Sequence, residues 1–175
     1  QHYGILPDIT TIAKPIAGGI PMGAMLCTDE AALGFTPGQH GTTFGGGPLA
    51  CAVAIAVLDT MQRQDMLAHI REVGEFFKSK LQWLATRHDC VIDVRGMGLM
   101  LGLELNSAEL AKQAAAQMME RRIIINRTSE TVLRFLPPFI LERKHVEIAV
   151  NALDEILKDL TAYAGTASAG EQAHG

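Results

Sequence analysis

Between Leu67 and Leu105 the spacing of apolar residues changes from three and four to two, and no other feature limits the fold as much. Leu67, Ile70, Val73, Phe77, Leu81 and Leu84 recur at helical spacing, while Arg71, Glu72, Glu75, Lys78 and Lys80 fill the other faces. Such a stripe makes an amphipathic helix. "VIDVRGMGLMLGLEL" then alternates Leu99, Leu101, Leu103 and Leu105, the pattern of a half-buried strand entered through a glycine turn. Asn106 followed by Glu109 resembles a capping box for a short helix through Arg121. "RIIIN" and "TVLRFLPP" read as two more strands, and Val146, Ala149, Leu153, Ile156 and Leu160 mark a last helix. Helix, strand, helix, strands, helix is the order of a small α+β domain with an antiparallel sheet.

The first 47 residues follow other rules. Gly18, Gly19, Gly23, Gly34, Gly38, Gly41 and the triplet Gly45 to Gly47 permit unusual backbone and close approach to a ligand. Apolar stretches such as "GAMLC" interrupt the glycines and suit strands. From Pro48, "PLACAVAIAVLDTMQR" is apolar almost all round and opens with proline, as a buried helix does. A boundary is expected near residues 60 to 65, with this helix bridging two bodies. Residues 1–60 would then form one piece and 61–163 the small domain. Residues 164–175, "AGTASAGEQAHG", are expected to be a disordered tail.

Composition removes several function classes. Fifteen basic and nineteen acidic side chains give a net charge of −4, and aromatics are 5%, which argues against nucleic acid as a partner. Cys27, Cys51 and Cys90 are odd in number and widely spaced, so neither a disulfide framework nor a C-x-x-C metal site is expected; a reducing cytoplasm fits. No apolar run reaches the roughly 18 to 20 residues that cross a bilayer. The six histidines form no H-x-x-x-H pair, His69 and His88 read as exposed helix positions, and no metal is expected. The chain begins with Gln and reads as a cut through a longer protein.

Three segments could carry chemistry. In "TIAKPIAGGIPMGAM", Lys14 has no other Lys, Arg, His, Asp or Glu between Asp8 and Asp29. Pro15 after it disfavours helix and keeps the backbone extended or turned. An amine short of solvent has its charged form disfavoured and can form a Schiff base with a carbonyl compound; the alternative is a surface lysine whose stem snorkels. In "HGTTFGGGPLA", Thr42 and Thr43 lie among glycines just before a helix, equipment for holding a phosphate or for capping the helix. It is no Walker loop, and "RGMGLMLG" misses the dinucleotide pattern by one residue. In "TVLRFLPP", Arg134 stands alone in an apolar strand and needs a partner, either an internal carboxylate or that of a substrate.

Taken in order, "PDITTIAKPIAGGIPMGAM", "HGTTFGGGPLACAVAIAVL", "VRGMGLMLGLEL" and "NRTSETVLRFLPPFIL" resemble the C-terminal half of class III aminotransferases dependent on pyridoxal phosphate, from about residue 1 to residue 162. The resemblance implies an α/β fold of the pyridoxal-phosphate transferase type (fold type I), here a partial large domain and the whole small domain. It implies that Lys14 bonds the cofactor and acts in catalysis. Thr43 would bind the cofactor phosphate from the neighbouring subunit of a homodimer. Thr42 would lie at a substrate contact, and Arg134 would bind the substrate α-carboxylate. The last segment is most similar to the acetylornithine branch of arginine biosynthesis. That implies amino transfer between N-acetylornithine, or a related ω-amino acid, and 2-oxoglutarate; the ornithine, succinylornithine and 4-aminobutyrate branches share the frame. Gly47 stands where the family usually has Asn. The family's pyridine-nitrogen aspartate, its glycine-serine or glycine-threonine phosphate loop and its ring-stacking aromatic would lie upstream of residue 1. The chain alone is therefore expected to be inactive. The rival reading is a non-catalytic α+β interaction module.

Overall fold

A computed structural model describes residues 3–171, of which 163–171 by backbone alone. The residues divide into two compact units, Gln1–Asp65 and Met66–Gly175.

In the first unit, β1 (Ile9–Ile12) pairs antiparallel with β2 (Ala24–Cys27), from Ile9 opposite Cys27 to Ile12 opposite Ala24. The last pair closes the base of a loop that carries a 3-10 turn, Lys14–Ala17. A short α1 (Asp29–Ala32) follows, capped by the Thr28 hydroxyl, which accepts from Ala31 N at 3.3 Å. Then comes α2 (Pro48–Arg63), with Pro48 in the first turn. The 3-10 turn packs against α2. Ala17 is buried there, and a Cβ on Gly18 would meet Val53 and Val57 at 3.5 and 3.6 Å. The helix expected to bridge two bodies instead lies wholly in this unit. Nor is it buried: Ala54 is its one buried residue, and within the unit its main packing partner is the 3-10 turn.

The second unit runs α3 (Met66–Arg87), β3 (Val91–Met97), β4 (Met100–Leu105), α4 (Ala108–Glu120), β5 (Asn126–Thr128), β6 (Val132–Phe135) and α5 (Arg143–Glu171). The strands form one antiparallel sheet in the order β3-β4-β6-β5. Alternation along the strands divides its two faces. Leu101, Leu103, Leu105, Leu133 and Phe135 point into a core with Val73, Phe77, Leu81 and Leu84 of α3, Met118 of α4, and Val146, Leu153 and Ile156 of α5. Phe77 meets Phe135 edge to face, their centroids 5.1 Å apart. The other face carries Asp93, Arg95, Gly102, Glu104, Arg134, Asn126 and Thr128 in register.

Two boundaries differ from the sequence reading. The cap of α4 is Ser107, not Asn106: Ser107 is extended (φ −141°, ψ 132°) and its hydroxyl accepts from Leu110 N at 3.3 Å, whereas Asn106 N donates to Cys90 O. The tail expected to be disordered from 164 continues α5 through Glu171, a stretch that includes Ala164, Ala167 and Ala169, and alanine is the best helix former. Residues 172–175 lie outside the described residues.

Candidate active site

Lys14 opens the 3-10 turn with φ 56°, in the left-handed region that L-residues with long side chains seldom enter. Pro15 had pointed to extended or turned backbone; the turn is what forms, because the closed β1–β2 base and the contact of Ala17 and Gly18 with α2 fix the loop. Left-handed conformations at non-glycine residues cost of the order of 1–3 kcal/mol and cluster at functional sites. The apolar surroundings did not translate into burial: Lys14 is exposed.

Thr42 and Thr43 lie, both exposed, on the loop that enters α2. The Thr42 methyl folds over Gly45, where a Cβ would overlap it, and Gly46 has φ 69°. Gly46 therefore needs glycine for its backbone, while a side chain at 45 would require Thr42 to turn aside. The N-cap of α2 is Gly47, with no side chain to cap it, and Pro48 has no N–H. The N–H groups of the first turn are thus left without a side-chain acceptor, at the positive end of a 16-residue helix. Lys14 and the threonine loop are tied through the packing of the 3-10 turn on α2.

Arg134 is on β6, in the second unit. Its row crosses the whole sheet: Arg95 on β3, Gly102 on β4, Arg134 on β6 and Asn126 on β5 are successive register partners. Arg134 Nη2 donates to Asn126 Oδ1 at 3.4 Å, and its Nε is buried with no hydrogen-bond partner. No carboxylate among the described residues pairs with it. Arg95 differs: its Nη1 donates to Asp93 Oδ2 at 2.6 Å and Glu104 Oε2 at 2.5 Å. A cavity of about 240 Å³ opens between them, lined by Arg95, Gly102, Thr128, Ser129, Val132 and Arg134. A larger, mostly apolar cavity of about 490 Å³, beside Phe77, Ile124, Leu136 and Ile148, holds none of the candidate residues.

Asn126 was missed by the sequence reading, since only strand register sets it against Arg134. His88 was misread as an exposed helix position. It is buried, and its Nε2 lies 2.7 Å from Asp154 Oδ1. Arg87 also donates to Asp154, at 3.0 and 3.3 Å, so this is a staple between α3 and α5. No group of His, Cys, Asp and Glu among the described residues could hold a metal ion, and no described helix is long and apolar enough to cross a membrane.

The family model for class-III aminotransferases matches residues 1–157. The acetylornithine aminotransferase of Methanocaldococcus jannaschii is 43% identical over 162 residues, which are 91% of this chain and 40% of that protein. That of Aquifex aeolicus is 45% identical over 157 residues, 90% of this chain and 39% of its own length. The solved acetylornithine aminotransferase of Elizabethkingia anophelis superposes with a TM-score of 0.84 at 29% identity, over 90% of this chain and 40% of that one. The ornithine aminotransferase of Toxoplasma gondii does so with 0.85 at 25% identity, over 93% and 39%. The chain spans about two fifths of the length of the curated relatives it matches. By that match and that fold, this chain belongs to the class-III aminotransferases, a family of fold type I enzymes that depend on pyridoxal phosphate.

Proposed function

We propose that the protein containing this chain transfers an amino group between N-acetylornithine, or a related ω-amino acid, and 2-oxoglutarate, as a step of arginine biosynthesis. The likeness to acetylornithine aminotransferases supports the branch. The single observation that carries the chemistry is Lys14, a lysine held at φ 56° on a braced turn.

The residues suit the cofactor. Lys14 offers an amine for its aldehyde; Thr43 and the uncapped start of α2 offer donors for a phosphate; Gly45 and Gly46 keep two positions of that loop free of side chains. When bound, pyridoxal phosphate supplies an electron sink for the pair left behind when a substrate Cα–H bond breaks. The Lys14 amine would take the proton from the substrate Cα and, once protonated, would be the acid that hands it to the carbon accepting the amino group. Arg134 grips the α-carboxylate with two parallel hydrogen bonds and so fixes the orientation of Cα. Its orphaned Nε–H and the adjoining cavity support that role. Thr42 contacts substrate. Thr43 serves the phosphate of a neighbouring subunit in a homodimer, a reading supported by the exposed apolar surface beside it, Phe44 at 89% and Leu49 at 71%.

Proton abstraction needs an amine free of its own proton and screened from water. Because Lys14 is exposed, the 175 residues alone are expected not to turn over substrate. Borohydride reduction of the whole enzyme with its cofactor, followed by peptide mapping, tests the assignment. The pyridoxyl label is expected on Lys14, and a label on Lys78 or Lys80 instead would end the proposal.

A further inference from the structure

The two arginines on the polar face of the sheet share one row and differ in what holds them. Arg95 is bonded to two carboxylates, Asp93 and Glu104, and Glu104 also accepts from the Thr131 hydroxyl at 3.4 Å. Arg134 is bonded to one neutral carboxamide, Asn126, and keeps an unmade bond at Nε. Between them stands Gly102, where even a Cβ would come within 3.3 Å of Val132 Cγ1 and 3.9 Å of Arg95 Cγ. With no side chain there, the cavity beside both guanidiniums stays open. The row therefore has an end where charge is already compensated and an end where it is not.

We infer that Asn126 is a positioning residue for the carboxylate subsite: it orients the Arg134 guanidinium while leaving its charge for the ligand. This rests on the reading of Arg134 given above and adds a reason for the amide. An aspartate would fit the same space and make the same bond, yet would neutralise the arginine as Asp93 and Glu104 do Arg95. A purely apolar residue would leave the charge but not the aim. The register that brings Asn126 to Arg134 is set by the turn Ser129–Thr131, where both Ser129 and Glu130 sit at φ 50°. A slip by one residue would send Asn126 to the opposite face. Strain in that turn is thus tied to the placement of one amide.

The test is a titration of the 175-residue chain with 2-oxoglutarate, read from the ¹⁵Nε–Hε resonance of Arg134, which is assigned by its loss in Arg134→Lys. The unmodified chain is expected to show a saturable shift. Asn126→Asp should weaken binding at least tenfold while thermal unfolding stays level or rises, and Asn126→Leu, of similar size and uncharged, should weaken it by about threefold, since it loses the aim but leaves the charge free. If Asn126→Asp does not fold, Thr128→Asp, on the same face of β5 and lining the cavity, makes the same comparison. No shift in the unmodified chain would overturn the carboxylate reading of Arg134, and this inference with it. A normal shift there that either aspartate variant reproduces at equal affinity would overturn the role of Asn126 alone. So would equal losses in the Asp and Leu variants, since charge would then not matter.

Discussion

In the first unit, α2 leaves Leu49, Ile55 and Leu58 at 71, 60 and 53% exposure, whereas α3 in the second holds Val73, Phe77, Leu81 and Leu84 at 3% or less. Both helices are rich in aliphatic side chains. What differs is arrangement: α3 gathers most of its apolar residues into one stripe that a sheet can cover, with Leu67 and Trp83 left exposed, and α2 spreads them round its circumference. Among the described residues of the first unit only Ala17 and Ala54 are buried, while the second has one continuous core from α3 to α5. The candidate residues divide the same way. Lys14, Thr42 and Thr43 stand on loops of a unit that buries little of itself; Arg134 stands on a sheet that is self-supporting. Apolar surface of that extent is characteristic of a face that another surface covers. The groups that would handle the cofactor thus depend on what covers their unit, and the arginine proposed to grip a carboxylate does not.

Core deletions would break that comparison most forcefully. Leu103 is fully buried on β4, with β3 on one side and β6 on the other. Leu103→Ala is expected to cost about 3–5 kcal/mol, the transfer of a large side chain plus the cavity it leaves. Leu58→Ala on α2 should cost less than about 0.5 kcal/mol, as at an ordinary surface position. Chemical denaturation of the 175-residue chain measures both. If Leu58→Ala proved the more costly, α2 would be buried in solution and the contrast between the units would be lost.

That contrast also explains which features the sequence made legible. The stripe of α3 and the alternation of β4 are local periodicities with one face to bury, and both elements form where the pattern places them. Arg134 was legible for the same reason, as a charge in an apolar strand. Its neighbour Asn126 was not, because a polar residue at a strand start looks like any other until the turn at Ser129 sets the register. His88 was misread because its partner Asp154 lies 66 residues away. Lys14 was picked by its chemical isolation, yet its left-handed backbone depends on a helix more than 30 residues further on. Glycine was legible here as well: "RGMGLMLG" misses the dinucleotide pattern by one residue and reads as a glycine turn into a strand, and in the fold it makes the β3–β4 hairpin.

That hairpin gives a smaller and sharper test within the second unit. Gly98 turns the chain at φ 55°, and its carbonyl oxygen lies where a Cβ on Gly74 of α3 would come within 2.5 Å. The opposing atoms are backbone, which cannot rotate aside. In an open helix Gly→Ala stabilises by about 0.5–1 kcal/mol. Here the clash reverses the sign, and Gly74→Ala is expected to destabilise by about 1–3 kcal/mol. Gly41 in the first unit, which is likewise outside the left-handed region, has nothing within 4 Å of such a Cβ, so Gly41→Ala should change the denaturation midpoint little. A stabilised Gly74→Ala would mean that α3 is less closely seated than the structure has it.

The smallest effect expected is the pH response of the staple between α3 and α5. Partial burial pushes the Asp154 carboxyl up, but hydrogen bonds from His88 and Arg87 and the charge of Arg87 outweigh it, so the carboxyl stays below its ordinary value. Stacking of Arg87 on Trp83, 4.7 Å from the ring centroid, keeps that guanidinium in place. The sign follows from linkage: a carboxyl whose pKa is lowered by folding adds stability above its unfolded pKa and loses it as pH falls through the folded one. The contribution should therefore be whole at neutral pH and fade below about pH 4. Other acids titrate in the same range, among them Glu142, lowered by its bond to Lys144. For that reason the informative quantity is the gap in denaturation midpoint between the unmodified chain and Asp154→Asn, not either curve alone. That gap should be widest near pH 7 and shrink toward pH 3. A gap that stayed constant would show that Asp154 holds the helices by shape and neutral hydrogen bonding, and that its charge is incidental to the second unit's independence.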